Sequence, residues 1–376
     1  MQQNSPPISV MRTPRSVDLE ITSRCNLRCR YCYFFDNPEV TYQELPKEEW
    51  LKFIDELGYC SVMDVCLAGG EPFIHEDLHE LITAIVKNRM RFSILSNGTL
   101  ITDDIAEFIS KTERCDSVQV SIDGSCAEIH ETGRGKGSFE KAVQGIKILQ
   151  RHHVPVTVRV TIHRHNVNDL ENTASFLLEE LELPGFTTNA VGYFGTCQKN
   201  ANDLLLRIED RQKAMATLLH LENIYNSRIT AQAGPLAEAH YWSRMEKARK
   251  ESAPQFNNGG NLTGCGCPSS KITVRADGII VPCSMLSHIE LGRVNRDSFQ
   301  DVWLKNQEMH TLRSRHTIAL DSFDECAECE YISYCTGNCP GSAYSLTGNV
   351  NLPSPDACLQ RFLAEGGKIP VIDKAI

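Results

Sequence analysis

The chain has 376 residues, 41% of them hydrophobic, enough for two domains or one large domain with an appendage. Its net charge is −10 and it has no basic stripe, which argues against a nucleic-acid partner. Residues 1–15 are polar and Pro-rich without an apolar signal core, and no run reaches membrane-spanning length, so the expectation is a cytoplasmic protein with no membrane partner.

Strand-like runs alternate with helical ones. The runs 17–22, 63–68, 91–96, 117–122, 155–162 and 186–193 read as strands. Between them, Leu78, Leu81, Ile82, Ile85 and Val86 mark one helical face, and Phe139, Val143, Ile146 and Leu149 another. Six strand–helix units in this order imply a parallel sheet with right-handed crossovers, whose sites lie at the carboxyl ends of the strands. From 204 to 250 the chain reads as helical with a break at Gly234-Pro235, and 252–264 reads as a linker.

The first strand runs straight into Cys25-Asn-Leu-Arg-Cys29-Arg-Tyr31-Cys32. Sixteen cysteines in a chain of this size without an export signal suit metal binding better than disulfides, and most cluster at 25–32 and 265–358. A 4Fe–4S cluster takes one external ligand per iron, so three thiolates leave one iron open to a substrate or cofactor. A zinc knuckle, the alternative, usually uses paired cysteine units and four ligands. The Cys-x3-Cys-x2-Cys spacing with Tyr31 before the last cysteine resembles the signature of the radical S-adenosylmethionine (SAM) enzymes. That resemblance implies an α/β fold, a partial (β/α)6 TIM barrel open on one side. It also implies that the open iron chelates SAM, whose reductive cleavage gives a 5′-deoxyadenosyl radical.

Gly69-Gly70-Glu71-Pro72 follows the second strand and resembles the family motif that binds the amino group of SAM; the two glycines would let the backbone approach a ligand and offer it their amides. Ser96 and Asn97 end the third strand, and Ser121 and Asp123 the fourth; all resemble the family's ribose- and carboxylate-contacting positions, and all are also ordinary turn residues. Arg134 and Arg159 are the arginines that could pair with the SAM carboxylate. Cys66, on a strand, reads as core, and Cys197 after the sixth strand is the one weak catalytic candidate, as a hydrogen donor to a product radical. His163 and His165 read as loop histidines.

The C-terminal cysteines are more specific. Cys267 is followed by Gly278 and Cys283, then by Cys326, Cys329, Cys335, Cys339 and Cys358, in the spacing of the SPASM domain, which this region resembles residue for residue. The resemblance implies two auxiliary 4Fe–4S clusters, so three in all. Cys267, Cys283 and Cys339 would hold the first, with Cys265 as the expected fourth ligand or an open site as the alternative; Cys326, Cys329, Cys335 and Cys358 would hold the second. The expected division is an N-terminal segment 1–16, a radical SAM core 17–235, a helical linker 236–264, a SPASM domain 265–360 and a tail 361–376.

The whole is similar to the Nif11-class maturases of ribosomally made peptides. The implied activity is modification of a precursor peptide by hydrogen-atom abstraction, with tyramine excision at a Tyr-Gly site to leave an α-keto-β-amino acid as the subtype. Cross-linking or epimerising maturases, formylglycine-generating sulfatase maturases and a non-catalytic iron–sulfur electron carrier are the alternatives. The implied partners are the precursor peptide, a separate PqqD-like leader-recognition protein, and a flavodoxin or ferredoxin as electron donor.

Overall fold

The computed structural model describes residues 10–35, 43–262 and 266–370. The six expected strands are present: β1 (Ser16–Thr22), β2 (Asp64–Gly69), β3 (Arg91–Ser96), β4 (Cys115–Ser121), β5 (Val156–Ile162) and β6 (Phe186–Ala190). Each pairs in parallel with the next, as strand–helix–strand crossovers require. Val17, Leu19, Ile21, Leu67, Ile94, Val118 and Val158 are fully buried on one face of the sheet. The helix Leu78–Lys87 buries Leu78, Leu81, Ile82 and Ile85, and the helix Phe139–Arg151 buries Ile146 and Leu149, so the apolar stripes read from the sequence are the faces that cover the strands.

The sheet is wider than expected. A short β7 (Ile229–Ala231) extends it beyond β6. At the other edge β8 (Lys271–Val274) lies parallel to β1, followed by the antiparallel β9 (Ile279–Val281) and β10 (Gly292–Arg293). The ten strands run β10-β9-β8-β1-β2-β3-β4-β5-β6-β7. The cysteine-rich region is therefore joined to the first strand by backbone pairing. Nor is the segment before it a loose tether: the helix Pro235–Lys250 packs Trp242 and Met245 with Tyr331, Tyr334 and Phe362.

The sheet's second face is polar. Alternate strand residues point to opposite sides, so opposite the apolar face lie Asp18 and Glu20, Cys66, Ser93, Gln119 and Ser121, Arg159, and Asn189. Cys66 on β2 acts electrostatically on Arg159 on β5, and Tyr33 acts on both sides. The parallel strands β1 to β6, with helices over the apolar face and polar side chains on the other, form a partial barrel around a polar lumen. No described helix is long and apolar enough to cross a membrane.

Candidate active site

The loop after β1 carries Cys25, Cys29 and Cys32, each partly buried. Burial pushes Cys25 up to about 11 and Cys32 up to about 12. The loop is held by groups from distant elements. Arg30 N donates to Gly133 O (2.8 Å), Thr196 N to Cys32 O (3.0 Å) and Thr196 Oγ1 to Cys29 O (2.9 Å). Asn200 Nδ2 donates to Arg30 O (2.9 Å). Gly195, at φ +48°, sits so close that a Cβ there would lie 2.2 Å from Cys32 O, so only glycine lets the segment after β6 cover the loop.

The Gly-Gly turn packs on the cysteine loop, a job beyond the cofactor contact expected of it. Gly70 N donates to Thr22 O (2.8 Å) and Glu71 N to Arg24 O (2.9 Å). A Cβ on Gly69, at φ +117°, would stand 2.3 Å from Thr22 O, and one on Gly70 2.1 Å from Arg24 O. The glycines thus admit the backbone of the cysteine loop, and these two amides are spent on it rather than offered to a ligand. Glu71 is fully buried; its carboxylate accepts from Phe73 N (3.2 Å), Ser96 Oγ (2.8 Å) and Asn97 N (2.7 Å). Burial pushes it up to about 7 despite those donors. Pro72 opens the short turn Pro72–Ile74 that follows. Asn97 in turn donates to Asn26 Oδ1 (2.9 Å), and its Nδ2 faces Cys25 Sγ at 3.9 Å. Glu71, Ser96 and Asn97 form a relay from β2 and β3 to the first cysteine.

A second relay comes from β4. Asp123, fully buried, accepts from Tyr31 Oη and Arg134 Nε on one oxygen, and from Thr161 N (2.7 Å) on the other. Burial alone would raise Asp123, but the Arg134 guanidinium beside it overturns that and holds it below the usual carboxylate range. Arg134 also covers the Tyr31 ring at 5.5 Å, and His163 lies 5.3 Å away on that ring. Burial drives His130 and His163 down to about 4, so both are neutral. Tyr31, Asp123 and Arg134 are therefore bound to one another. Sequence pattern gave no sign of this pairing, and it missed His130, whose Nδ1 accepts from Asp123 N (3.1 Å).

Other expected residues fall elsewhere. Cys197 is fully buried in an apolar cluster with Tyr31, Val191 and Leu204, and burial pushes its thiol up to about 11; these are packing surroundings, without the open, electropositive setting of a reacting thiol. Cys66 is not core: it lies on the lumen face beside Asp18 and Ser93. His165 pairs with Asp203 (3.0 Å). Ser121 and Arg159 are register partners on β4 and β5, on the lumen wall. Glu20, unmarked in the sequence reading, is 3% exposed on that wall, near Ser284, and burial pushes it up to about 7. Its signal was available: polar alternates in strands of a parallel sheet, which is covered on both faces, must line an interior. The surface hollows of ≈ 290 and ≈ 240 Å³ lie away from the cysteine loop; the second borders Cys358.

In the C-terminal region Cys326, Cys329, Cys335 and Cys358 act electrostatically on one another, which brings the four together. Cys267 Sγ donates to Pro282 O (2.8 Å), beside Cys283. A Cβ on Gly341 would touch Cys339 Sγ (3.6 Å) and Met285 (2.7 Å), so Cys339 is close to the same segment. Cys265 lies outside the described residues. Among the described residues no three Cys, His, Asp or Glu side chains close on a point that would hold a single metal ion. Grouped soft thiols, one per iron, fit iron–sulfur clusters, which ask for a wider cage.

Residues 19–177 match the model of the Radical SAM superfamily, and residues 265–330 match SPASM, an iron–sulfur cluster-binding domain. The Fe-coproporphyrin III synthase of Methanosarcina barkeri is 30% identical over 90% of this chain and 86% of its own. This chain belongs to the radical SAM superfamily. It is an enzyme of that family with a SPASM domain, and it uses SAM, a 4Fe–4S cluster and auxiliary iron–sulfur clusters. Its radical SAM/SPASM relatives include peptide maturases: the PqqA peptide cyclase of Granulibacter bethesdensis is 26% identical over 94% of this chain and 89% of its own. In fold, the chain superposes on Streptococcus suis SuiB, solved bound to precursor peptide SuiA, with a TM-score of 0.72 at 15% identity, covering 93% of this chain and 77% of that one.

Proposed function

We propose that this radical SAM enzyme modifies a ribosomally made precursor peptide by abstracting a hydrogen atom from it. The observation that carries the reading is the polar lumen. Asp18, Glu20, Gln119, Ser121 and Asn189 suit a backbone rich in amides. Whole-length similarity to a protein named PqqA peptide cyclase supports it. A tetrapyrrole substrate is the second reading, favoured by the relative named Fe-coproporphyrin III synthase.

When bound, the cluster and SAM supply a hydrogen-abstracting radical. The chain's residues hold and aim them. Cys25, Cys29 and Cys32 ligate three irons. The SAM ammonium is a donor, so carbonyl oxygens of the Gly-Gly turn, and not its amides, would accept from it. Ser121 remains for its ribose. Glu71, Ser96 and Asn97 fix the first cysteine, while Asp123 and Arg134 fix Tyr31, so these five are positioning residues. Cys265, Cys267, Cys283 and Cys339 hold one auxiliary cluster, and Cys326, Cys329, Cys335 and Cys358 the other, for three clusters in all. A PqqD-like protein delivers the leader, a flavodoxin or ferredoxin supplies electrons, and the setting is the cytoplasm. The subtype is tyramine excision at Tyr-Gly.

Coexpression with a precursor peptide from the same gene neighbourhood, followed by intact-mass analysis, tests this. The expected product is lighter by a tyramine unit. A cross-link or an epimerised residue would keep the peptide reading and remove the subtype; an unchanged peptide beside a modified tetrapyrrole would overturn the reading.

A further inference from the structure

Among the described residues, one lumen cation is left without a counter-charge. Lys271 pairs with Asp18 (2.8 Å), Arg134 with Asp123, and Arg275 with Asp277. Arg159 stands in the middle of β5, more buried than exposed, and its Nε is shut off from solvent with no hydrogen-bond partner. Among the described residues its side chain makes no ion pair, and the only ionisable groups that act on it are a phenol and a thiol, Tyr33 and Cys66, with no carboxylate among them. The lumen acids Asp18 and Glu20 do not reach it. An arginine stays charged at any physiological pH, and a desolvated charge without a counter-charge is costly. Proteins keep such a group where a ligand completes it.

Its surroundings say which ligand. Ser121 on β4 and Thr187 on β6 are its register neighbours, so a hydroxyl-bearing residue flanks Arg159 on each adjoining strand. A planar fork of donors flanked by hydroxyls matches a carboxylate. Its reach to Cys66, three residues before the Gly-Gly turn, puts the site deeper in the lumen than the strand ends where the cysteine loop, the turn and Asn97 gather.

We propose that Arg159, with Ser121 and Thr187 beside it, binds a carboxylate of the substrate and so sets which atom faces the cofactor. This deepens the reading above and rests on the lumen being the substrate site. The carboxylate comes from an acidic peptide side chain or from a propionate of a tetrapyrrole; both offer the same chemistry to the guanidinium.

The test uses reconstituted holoenzyme with SAM, wild type, R159K and R159M. Two probe pairs are titrated: a Glu-containing hexapeptide against its Gln counterpart, and coproporphyrin III against its tetramethyl ester. The wild type should bind one acid at least about tenfold tighter than its neutral partner, a preference abolished in R159M and partly kept in R159K. The pair that shows it names the source; preference for coproporphyrin alone keeps the Arg159 site and removes the peptide reading. SAM affinity and 5′-deoxyadenosine formation without substrate should stay within about twofold in R159M. No acid preference in either pair, or SAM affinity lost in R159M, overturns the proposal, the latter because the anion would be the cofactor's. A wild type that makes no 5′-deoxyadenosine at all would instead sink the radical SAM chemistry beneath it.

Discussion

The two cysteine-bearing regions are built on opposite principles. The loop after β1 is held by buried polar relays anchored in a parallel sheet: Glu71 to Ser96 and Asn97, and Asp123 to Arg134 and Tyr31. The stretch from 320 to 358 has only the short turns Leu320–Ser322, Ile332–Tyr334 and Pro355–Ala357 and one eight-residue helix, Pro340–Thr347. There Cys329 and Cys335 themselves pack against the small apolar cluster of Trp242, Tyr331 and Phe362. The first region is a scaffold ready to receive a cluster; the second, short of regular structure, should draw part of its folding free energy from metal binding.

The largest expected effect separates the two. Cys29→Ala should abolish 5′-deoxyadenosine formation yet leave the proteolysis pattern unchanged. Cys335→Ala should expose 320–358 to protease while keeping SAM cleavage. Equal protease resistance in the two variants would erase the distinction. Next comes the relay itself. Asp123→Asn leaves Arg134 buried without its counter-charge and should cost about 3–5 kcal/mol in denaturant unfolding. Adding Arg134→Met should recover part of that loss, and a strictly additive double variant would deny the pair. Gly70→Ala drives a Cβ into Arg24 O at 2.1 Å and should cost about 1–3 kcal/mol and lower the iron bound at the first loop.

A smaller, pH-dependent effect sits where the regions meet, at Glu20. Its carboxyl is raised in the folded state to about 7 from 4.5, so folding takes up a proton between those values. Its contribution is fully present below about 4.5 and is lost as pH rises through about 7. Glu20→Gln should therefore stabilise the protein by about 3 kcal/mol at pH 8 and by nearly nothing at pH 4.5. A pH-independent difference would mean that Glu20 is not titrating there.

The same contrast explains what could be read in advance. The six barrel strands announce themselves because Val17, Leu19 and Ile21, or Val156, Val158 and Val160, alternate over a full strand; the observed ends differ from the expected ones by three residues at most. The four other strands have two to four residues, too short for a period, and β8 is defined by pairing with β1 from some 250 positions away. Cysteine spacing marks the ligand loops because it is local. The partnership of Asp123 with Arg134 and Tyr31, and the isolation of Arg159, arise only when the strands are rolled together. Gly69 and Gly70 were legible as a tight spot, but that the close neighbour is the cysteine loop's own backbone is a tertiary fact.

The central claim is that the loop of Cys25, Cys29 and Cys32 leaves one iron open for SAM. Anaerobically reconstituted protein, reduced with dithionite in the presence of SAM, measures it directly. The account predicts about twelve irons per chain and steady release of 5′-deoxyadenosine, with about four irons and all of that release lost when the three cysteines are changed to alanine. Release of 5′-deoxyadenosine that survives the triple substitution would contradict it.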